Sequence, residues 1–238
     1  METFLSVLFG GFITFVAAFL IEYLRKPKLR LSIEQPHLDR TDDSGKVHTS
    51  RHLRLRLHND VSSLFAPWML RASAVQCRGA ITFHHLNDGQ NVFDRSMAVR
   101  WSNSAEPLTN VGLATTPVTG LFPSQPAPQI FKFALTSRID VYAGEEELLD
   151  VAVRFQGEKD CYGWNNEAYL YNWRAPHWKL GPGRYLVRVV ITSSGQSCKG
   201  VFRLVNDVES LGDFRLIDAL PEDRWSVYDG VPPKTTKS

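Results

Sequence analysis

The longest unbroken apolar pattern stands at the start of the chain, where Phe4 to Lys28 reads FLSVLFGGFITFVAAFLIEYLRKPK. No charged residue occurs from Thr3 to Ile21, and the apolar positions fall on every side of a helix. A water-facing helix keeps one polar stripe instead. Roughly 20 apolar residues carry a helix across a hydrocarbon layer about 30 Å thick, with its backbone satisfied internally. The pattern therefore predicts a membrane-spanning helix over residues 1–24. Only Met1 and Glu2 precede the run, and Ala17-Ala18 is followed by further apolar residues. That is a poor match to a cleaved export signal, which needs positive charge before the run and a small-residue site after it.

Elsewhere the period is two. In RHLRLRLHND, Leu53, Leu55 and Leu57 alternate with Arg54, Arg56 and His58, the mark of a half-buried strand. Tyr185, Val187, Val189 and Ile191 share one face of a second strand, which turns at SSGQS and returns over Val201 to Val205. Further strands are expected over Lys28 to Glu34, Ser73 to His84, Asn91 to Trp101, Ile130 to Ile139, Leu148 to Phe155 and Glu167 to Trp173. Asn87-Asp88-Gly89 is a hairpin-turn sequence. Pro36 to Ser50 is polar and reads as a loop, and Glu106 to Gln129, with five prolines, reads as a longer one. Many short strands without alternating helices predict a mainly β chain: an antiparallel β-sandwich, immunoglobulin-like or jelly-roll-like, over 31–220. A flexible tail is expected over 221–238.

Charge refines this picture. Arg25, Lys26, Lys28 and Arg30 form a basic juxtamembrane segment over 25–30, placed to meet lipid headgroups. Short flanking Lys/Arg clusters stay in the cytoplasm, so the N-terminus is expected outside and the C-terminal domain on the cytoplasmic side. Without these four cations and without Glu2 and Glu22, the chain from Leu31 onward holds 23 basic and 23 acidic residues. A neutral domain gives no basic face for nucleic acid, and none is expected as a partner. The three cysteines, Cys77, Cys161 and Cys198, form no C-x-x-C pair. Their odd number suits reduced thiols better than a disulfide framework.

Candidate chemistry is sparse. Glu145-Glu146-Glu147 with Asp150 lacks a calcium-loop spacing and reads as a solvated turn. The adjacent His84 and His85 point to opposite faces of a strand and make a poor metal pair. His52 and His58 share a face with Arg54 and Arg56, a basic stripe for an anion or simply the wet side of a sheet. No G-x-S-x-G, phosphate-cradling glycine loop or H-E-x-x-H is present, so no catalytic residue, metal or cofactor is assigned. Cys161 or Cys198 with a distant histidine as a nucleophilic pair is a reading that any chain of this composition permits.

Two surfaces remain. The segment Cys161 to Trp178 gathers Tyr162, Trp164, Asn165, Asn166, Glu167, Tyr169, Tyr171 and Trp173. Rings among amides and carboxylates serve ligand surfaces and protein interfaces, and they also fill cores between sheets. Ser6, Gly10, Thr14 and Ala18 recur every four residues and could bring the helix against another, in a second copy or a partner.

The layout resembles bacterial proteins built as one N-terminal span, a basic juxtamembrane segment and a β-sandwich; this likeness of architecture carries over no functional residues. The expectation is a membrane-anchored, non-enzymatic interaction or sensing module. Its alternatives are an extracytoplasmic glycan- or ligand-binding domain and a hydrolase whose site is not visible in sequence.

Overall fold

The computed structural model describes residues 2–43, 46–63, 66–104, 138–171, 173–207, 209–221 and 223, with side chains for all of these except 2–8, 40–43, 46–48, 62–63, 66–69 and 170. A helix, α1, runs over Glu2–Arg25. Strands follow in chain order: β1 Leu29–Ile33, β2 His37–Asp43, β3 Lys46–Asn59, β4 Ser62–Ser63, β5 Ala66–Leu70, β6 Ala74–His85, β7 Met97–Ala98 and β8 Arg100–Trp101. After the stretch outside the described residues come β9 Ile139–Val141, β10 Glu146–Phe155, β11 Cys161–Gly163, β12 Lys179–Leu180, β13 Arg184–Ser193, β14 Gln196–Val205 and β15 Arg215–Asp218.

These strands form two packed antiparallel sheets and one small β4–β5 ladder. The first has the order β1-β3-β10-β11-β12, with β2 continuing the β1 side of β3 and β8 sharing the far side of β10. The second has the order β15-β14-β13-β6-β7, with β9 also on β6. The leucine alternation explains the first sheet directly. Leu53, Leu55 and Leu57 are fully buried against the second sheet, where Ile81, Phe83, Val187, Val189 and Ile191 meet them. Each such side chain contributes about 1.5–3 kcal/mol by leaving water. At one edge the sheets close on each other: a Cβ on Gly200 of β14 would come within 3.2 Å of Leu31 Cδ1.

Several expectations need correction. Among the described residues no helix is long and apolar enough to cross a membrane. α1 carries Glu22 and Arg25 in its last turn, and Gly10, Gly11, Thr14, Ala17 and Ala18 dilute its apolar surface. The membrane-spanning segment over 1–24 is therefore withdrawn, leaving an exposed apolar helix. Pro36 to Ser50 is not a loop but the β2–β3 hairpin, with Asp43 opposite Lys46. Asn91 to Trp101 yields only the two short strands β7 and β8, because Asn91 makes one bridge to His84 and the chain then turns away. Glu167 to Trp173 contains a 3-10 helix over Asn166–Tyr171 in place of a strand. The proline-rich stretch Glu106 to Gln129 and nearly all of 221–238 lie outside the described residues.

Packing is close at Gly79 of β6, where an added Cβ would stand 2.5 Å from Val99 Cγ2 and 2.7 Å from Cδ1 of Ile191, its cross-strand partner on β13. Gly79→Ala is expected to destabilise the fold by about 1–3 kcal/mol through overpacking, read as a lower urea midpoint at unchanged slope.

Candidate functional site: an aromatic shelf on the outer face

Between β11 and β12 the chain makes an excursion over residues 164–178, closed at its base by the pairing of Cys161 with Leu180 and Tyr162 with Lys179. The excursion folds back over the outer face of the first sheet. Asn165 starts its 3-10 turn: its Oδ1 accepts from the Glu167 amide at 3.1 Å, and its carbonyl accepts from Ala168 N. The turn ends at Trp173, whose φ of 63° is rare for a bulky residue. That conformation lets the Trp173 amide donate to Ala168 O at 2.7 Å, a closure of the kind that ends helices.

The eight residues singled out in sequence divide between the two sides of this shelf. Trp164 and Tyr162 are buried and Tyr169 partly so, packed with Val153, Phe155 and Ala168 into a second small core. Trp164 also meets His52 edge-on at 5.0 Å. Asn165 is buried as the turn's cap, and Asn166 Oδ1 is buried without a hydrogen-bond partner. Trp173 is half-buried. Glu167 and Tyr171 face outward.

Sequence reasoning missed His177 and Arg95, which complete the outward side. Glu167 Oε2 accepts from Trp178 Nε1 at 2.8 Å, His177 Nε2 at 2.9 Å and Asn165 Nδ2 at 3.4 Å. Burial opposes ionisation of Glu167, but the hydrogen bonds from Trp178, His177 and Asn165 outweigh it and hold its pKa below the usual value. The His177 ring meets Tyr171 edge-on at 5.0 Å, and the Arg95 guanidinium lies 4.4 Å from the Trp178 ring centroid. The result is a strip of cation, imidazole, phenol and carboxylate laid against the buried Trp178 indole. His177 and Trp178 lie in the sequence-flagged segment, but only the β11–β12 pairing brings them back over Glu167. Arg95 arrives from the turn after β6, which no local signal connects to the shelf.

The other candidates are internally satisfied. Asp150, 1% exposed, receives Arg54 Nε at 2.8 Å, Arg100 Nη1 at 2.5 Å and Ser102 Oγ at 2.9 Å. It stands where a bulge shifts the register of β10 on β3, so its two flanking arginines come from β3 and β8. Breaking such a buried pair costs about 3–5 kcal/mol, which marks a structural tie. The basic stripe is neutralised along its length: Arg56 pairs with Glu34 and with Glu146 at 2.8 Å, and His58 lies 3.6 Å from Glu146. Glu146 and Glu147 thus belong to β10 rather than to a solvated turn. His84 spends both nitrogens, on Gly89 O and Thr82 Oγ1, each at 2.8 Å. Among the described residues no group of three or more His, Cys, Asp or Glu could hold a metal ion.

All three cysteines are free. Burial pushes the Cys77 thiol up to about 11 and raises Cys161 and Cys198 as well. None is poised as a thiolate nucleophile near neutrality. In α1, Gly10, Thr14 and Ala18 are exposed, and an added Cβ at Gly10 meets nothing within 4 Å; Ser6 lies outside the described side chains. Arg25, Lys26, Lys28 and Arg30 are all exposed, with Lys28 and Arg30 lying 3.7 and 3.5 Å from Asp60.

Compared with family models, curated proteins and solved structures, the chain matches none.

His52 supplies the pH prediction. Burial lowers its pKa to about 4, against a small opposing pull from Asp150. The folded state thus favours the neutral ring, and the unfolded state binds the extra proton between its own pKa near 6.5 and the folded value. Stability is full above pH about 6.5 and falls toward pH 4, by on the order of 3 kcal/mol. Urea melts across this range should show that loss, and His52→Phe should flatten the slope.

Proposed function

We propose that the protein is a membrane-associated, non-enzymatic interaction module. Helix α1 buries its apolar surface in lipid, and the sandwich presents the aromatic shelf to a partner. One observation carries the membrane reading: Phe9, Phe12, Phe15 and Phe19 are 67%, 64%, 70% and 68% exposed. A contiguous apolar surface of this kind marks a membrane or protein contact. Two features favour lipid. The side away from the phenylalanines carries Gly10, Gly11, Thr14, Ala17 and Ala18, so no polar stripe is left for water, as a helix in a protein groove would keep. The Thr14 hydroxyl donates to Gly10 O at 2.9 Å and needs no outside acceptor. Burying four phenylalanines is worth about 6–12 kcal/mol at 1.5–3 kcal/mol each, ample for stable attachment.

The cytoplasmic leaflet is the proposed side. Its anionic lipids suit exposed Arg25 and Lys26, and three free cysteines suit a reducing compartment. The sandwich is proposed to be immunoglobulin-like or jelly-roll-like, supported by its all-antiparallel pairing and by the crossings between sheets from β3 to β6, from β7 to β8 and from β9 to β10. A partner protein, or a second copy meeting through α1, remains the proposed occupant of the interaction surfaces. The shelf itself favours a second reading, a small polar ligand such as a glycan on the opposite side of the membrane. Glu167 and His177 are held in fixed orientation beside the exposed Tyr171 ring, which is how sugar-binding surfaces combine stacking with polar contacts.

Flotation with vesicles tests the leading reading. After detergent removal in the presence of phosphatidylserine-containing vesicles, the full chain should float with lipid. A Phe12→Ser, Phe15→Ser, Phe19→Ser variant with an unchanged circular dichroism spectrum should stay in the aqueous fraction. A wild-type chain that stays behind overturns the proposal.

A further inference from the structure

The end of the sandwich that receives α1 is built around one buried side chain. Asn59, fully buried at the end of β3, accepts from the Lys28 amide at 3.1 Å through Oδ1. Its Nδ2 donates to Ala72 O at 3.0 Å and Val141 O at 3.1 Å. Three chain segments are thus tied to one amide: the exit of α1, the residues after β5, and the end of β9. The Asn59 carbonyl also accepts from Gly144 at 2.7 Å, and Asp60 N donates to Lys28 O at 3.1 Å. The helix end is held from the same side. Ala72 N donates to Arg25 O at 2.6 Å, and Arg71 Nη1 donates to Lys26 O at 3.0 Å and Leu24 O at 3.5 Å. Arginine on the last carbonyls of a helix satisfies them and complements the negative end of the dipole.

Around this joint stand exposed apolar side chains with no function inside the fold. Val61, Leu70 and Tyr142 are 47%, 64% and 56% exposed. They come from the β3–β4 connection, the end of β5 and the β9–β10 connection, which the Asn59 ties bring together. Val61 O accepts from Arg71 N, next to Leu70, and Val61 Cγ2 would touch a Cβ on Gly144, two residues past Tyr142. Strand β5 packs beside α1 itself. The apolar surface of the helix therefore continues onto the sandwich, with exposed Arg25 and Lys26 where the two meet.

We propose that this collar of Val61, Leu70 and Tyr142 is a second lipid contact, seating the end of the sandwich in the headgroup layer of an anionic membrane. The proposal rests on the membrane reading of α1 and extends it: the domain does not hang from a tether but sits on the surface in one attitude. Continuity with the helix and the cations at the junction identify the occupant as lipid. Apolar side chains beside exposed Arg25 and Lys26 match the acyl boundary below anionic headgroups.

The test places a polarity-sensitive fluorophore on Tyr142→Cys in a Cys198→Ser full chain bound to phosphatidylserine vesicles, with Gln156→Cys at the far end of β10 as comparison. Emission should shift to the blue and be quenched by headgroup-level nitroxide lipids at position 142, and do neither at position 156. Val61→Asp with Leu70→Asp should weaken vesicle partitioning roughly tenfold, the equivalent of losing about one buried apolar side chain. Vesicle-bound protein with an unshifted label at 142 overturns the collar while leaving the α1 reading intact. Protein that does not float at all overturns both.

Discussion

The Asn59 carboxamide is the interaction on which the rest of the molecule depends. A β-sandwich with a helix leaving its end must turn several strands into one small region, and each turn leaves backbone donors and acceptors out of the ladders. Buried groups of this kind cost about 1–3 kcal/mol each when unmet. Asn59 meets three of them, from Lys28, Ala72 and Val141. Leucine or aspartate, of similar size, would meet none or one, because an amide offers an acceptor and two donors at one tip. The same contacts decide where α1 points, so a packing solution inside the fold sets the geometry of the proposed membrane attachment.

The outer face of the first sheet follows a second rule, the pairing of opposite charges. Asp150 is enclosed by Arg54 and Arg100, Glu34 and Glu146 by Arg56, Glu158 by Arg174. Asp160 takes Lys179, and on the second sheet Asp207 takes Arg184. This accounts for a domain that is formally neutral yet well supplied with arginine. It also explains why the aromatic shelf can lie on a charged sheet: the face beneath it has been neutralised before the rings cover it. What remains outward is the strip from Arg95 to Glu167, the most chemically varied surface among the described residues.

Much of the sandwich was legible because period-two patterning is strong where one face is buried. The alternating leucines of β3 and the Tyr185-to-Ile191 face of β13 lie in the core as their spacing implies. The β13–β14 hairpin also closes near the expected turn, at Ser194-Gly195 between paired Ser193 and Gln196. Legibility failed where a long-range contact overrode local pattern. Glu167 to Tyr171 looks extended by its alternating rings, yet Asn165 caps it into a 3-10 turn and Trp178, eleven residues beyond Glu167, supplies the partner that holds it. Asp150 looked like part of an acidic turn, and only the β10 bulge and two arginines from other strands make it a buried tie. Asn59 carried no signal at all: a polar residue before Asp60 reads as a turn, and nothing local shows that three remote backbone segments converge on it.

Attachment through a locked joint differs in a measurable way from attachment through a tether. Spin labels at Phe15→Cys in α1 and Gln156→Cys in the sandwich, in a Cys198→Ser chain bound to vesicles, report the distance between helix and domain. A locked joint predicts one narrow distance distribution, which Asn59→Ala should broaden. A broad distribution in the unaltered joint would contradict the account.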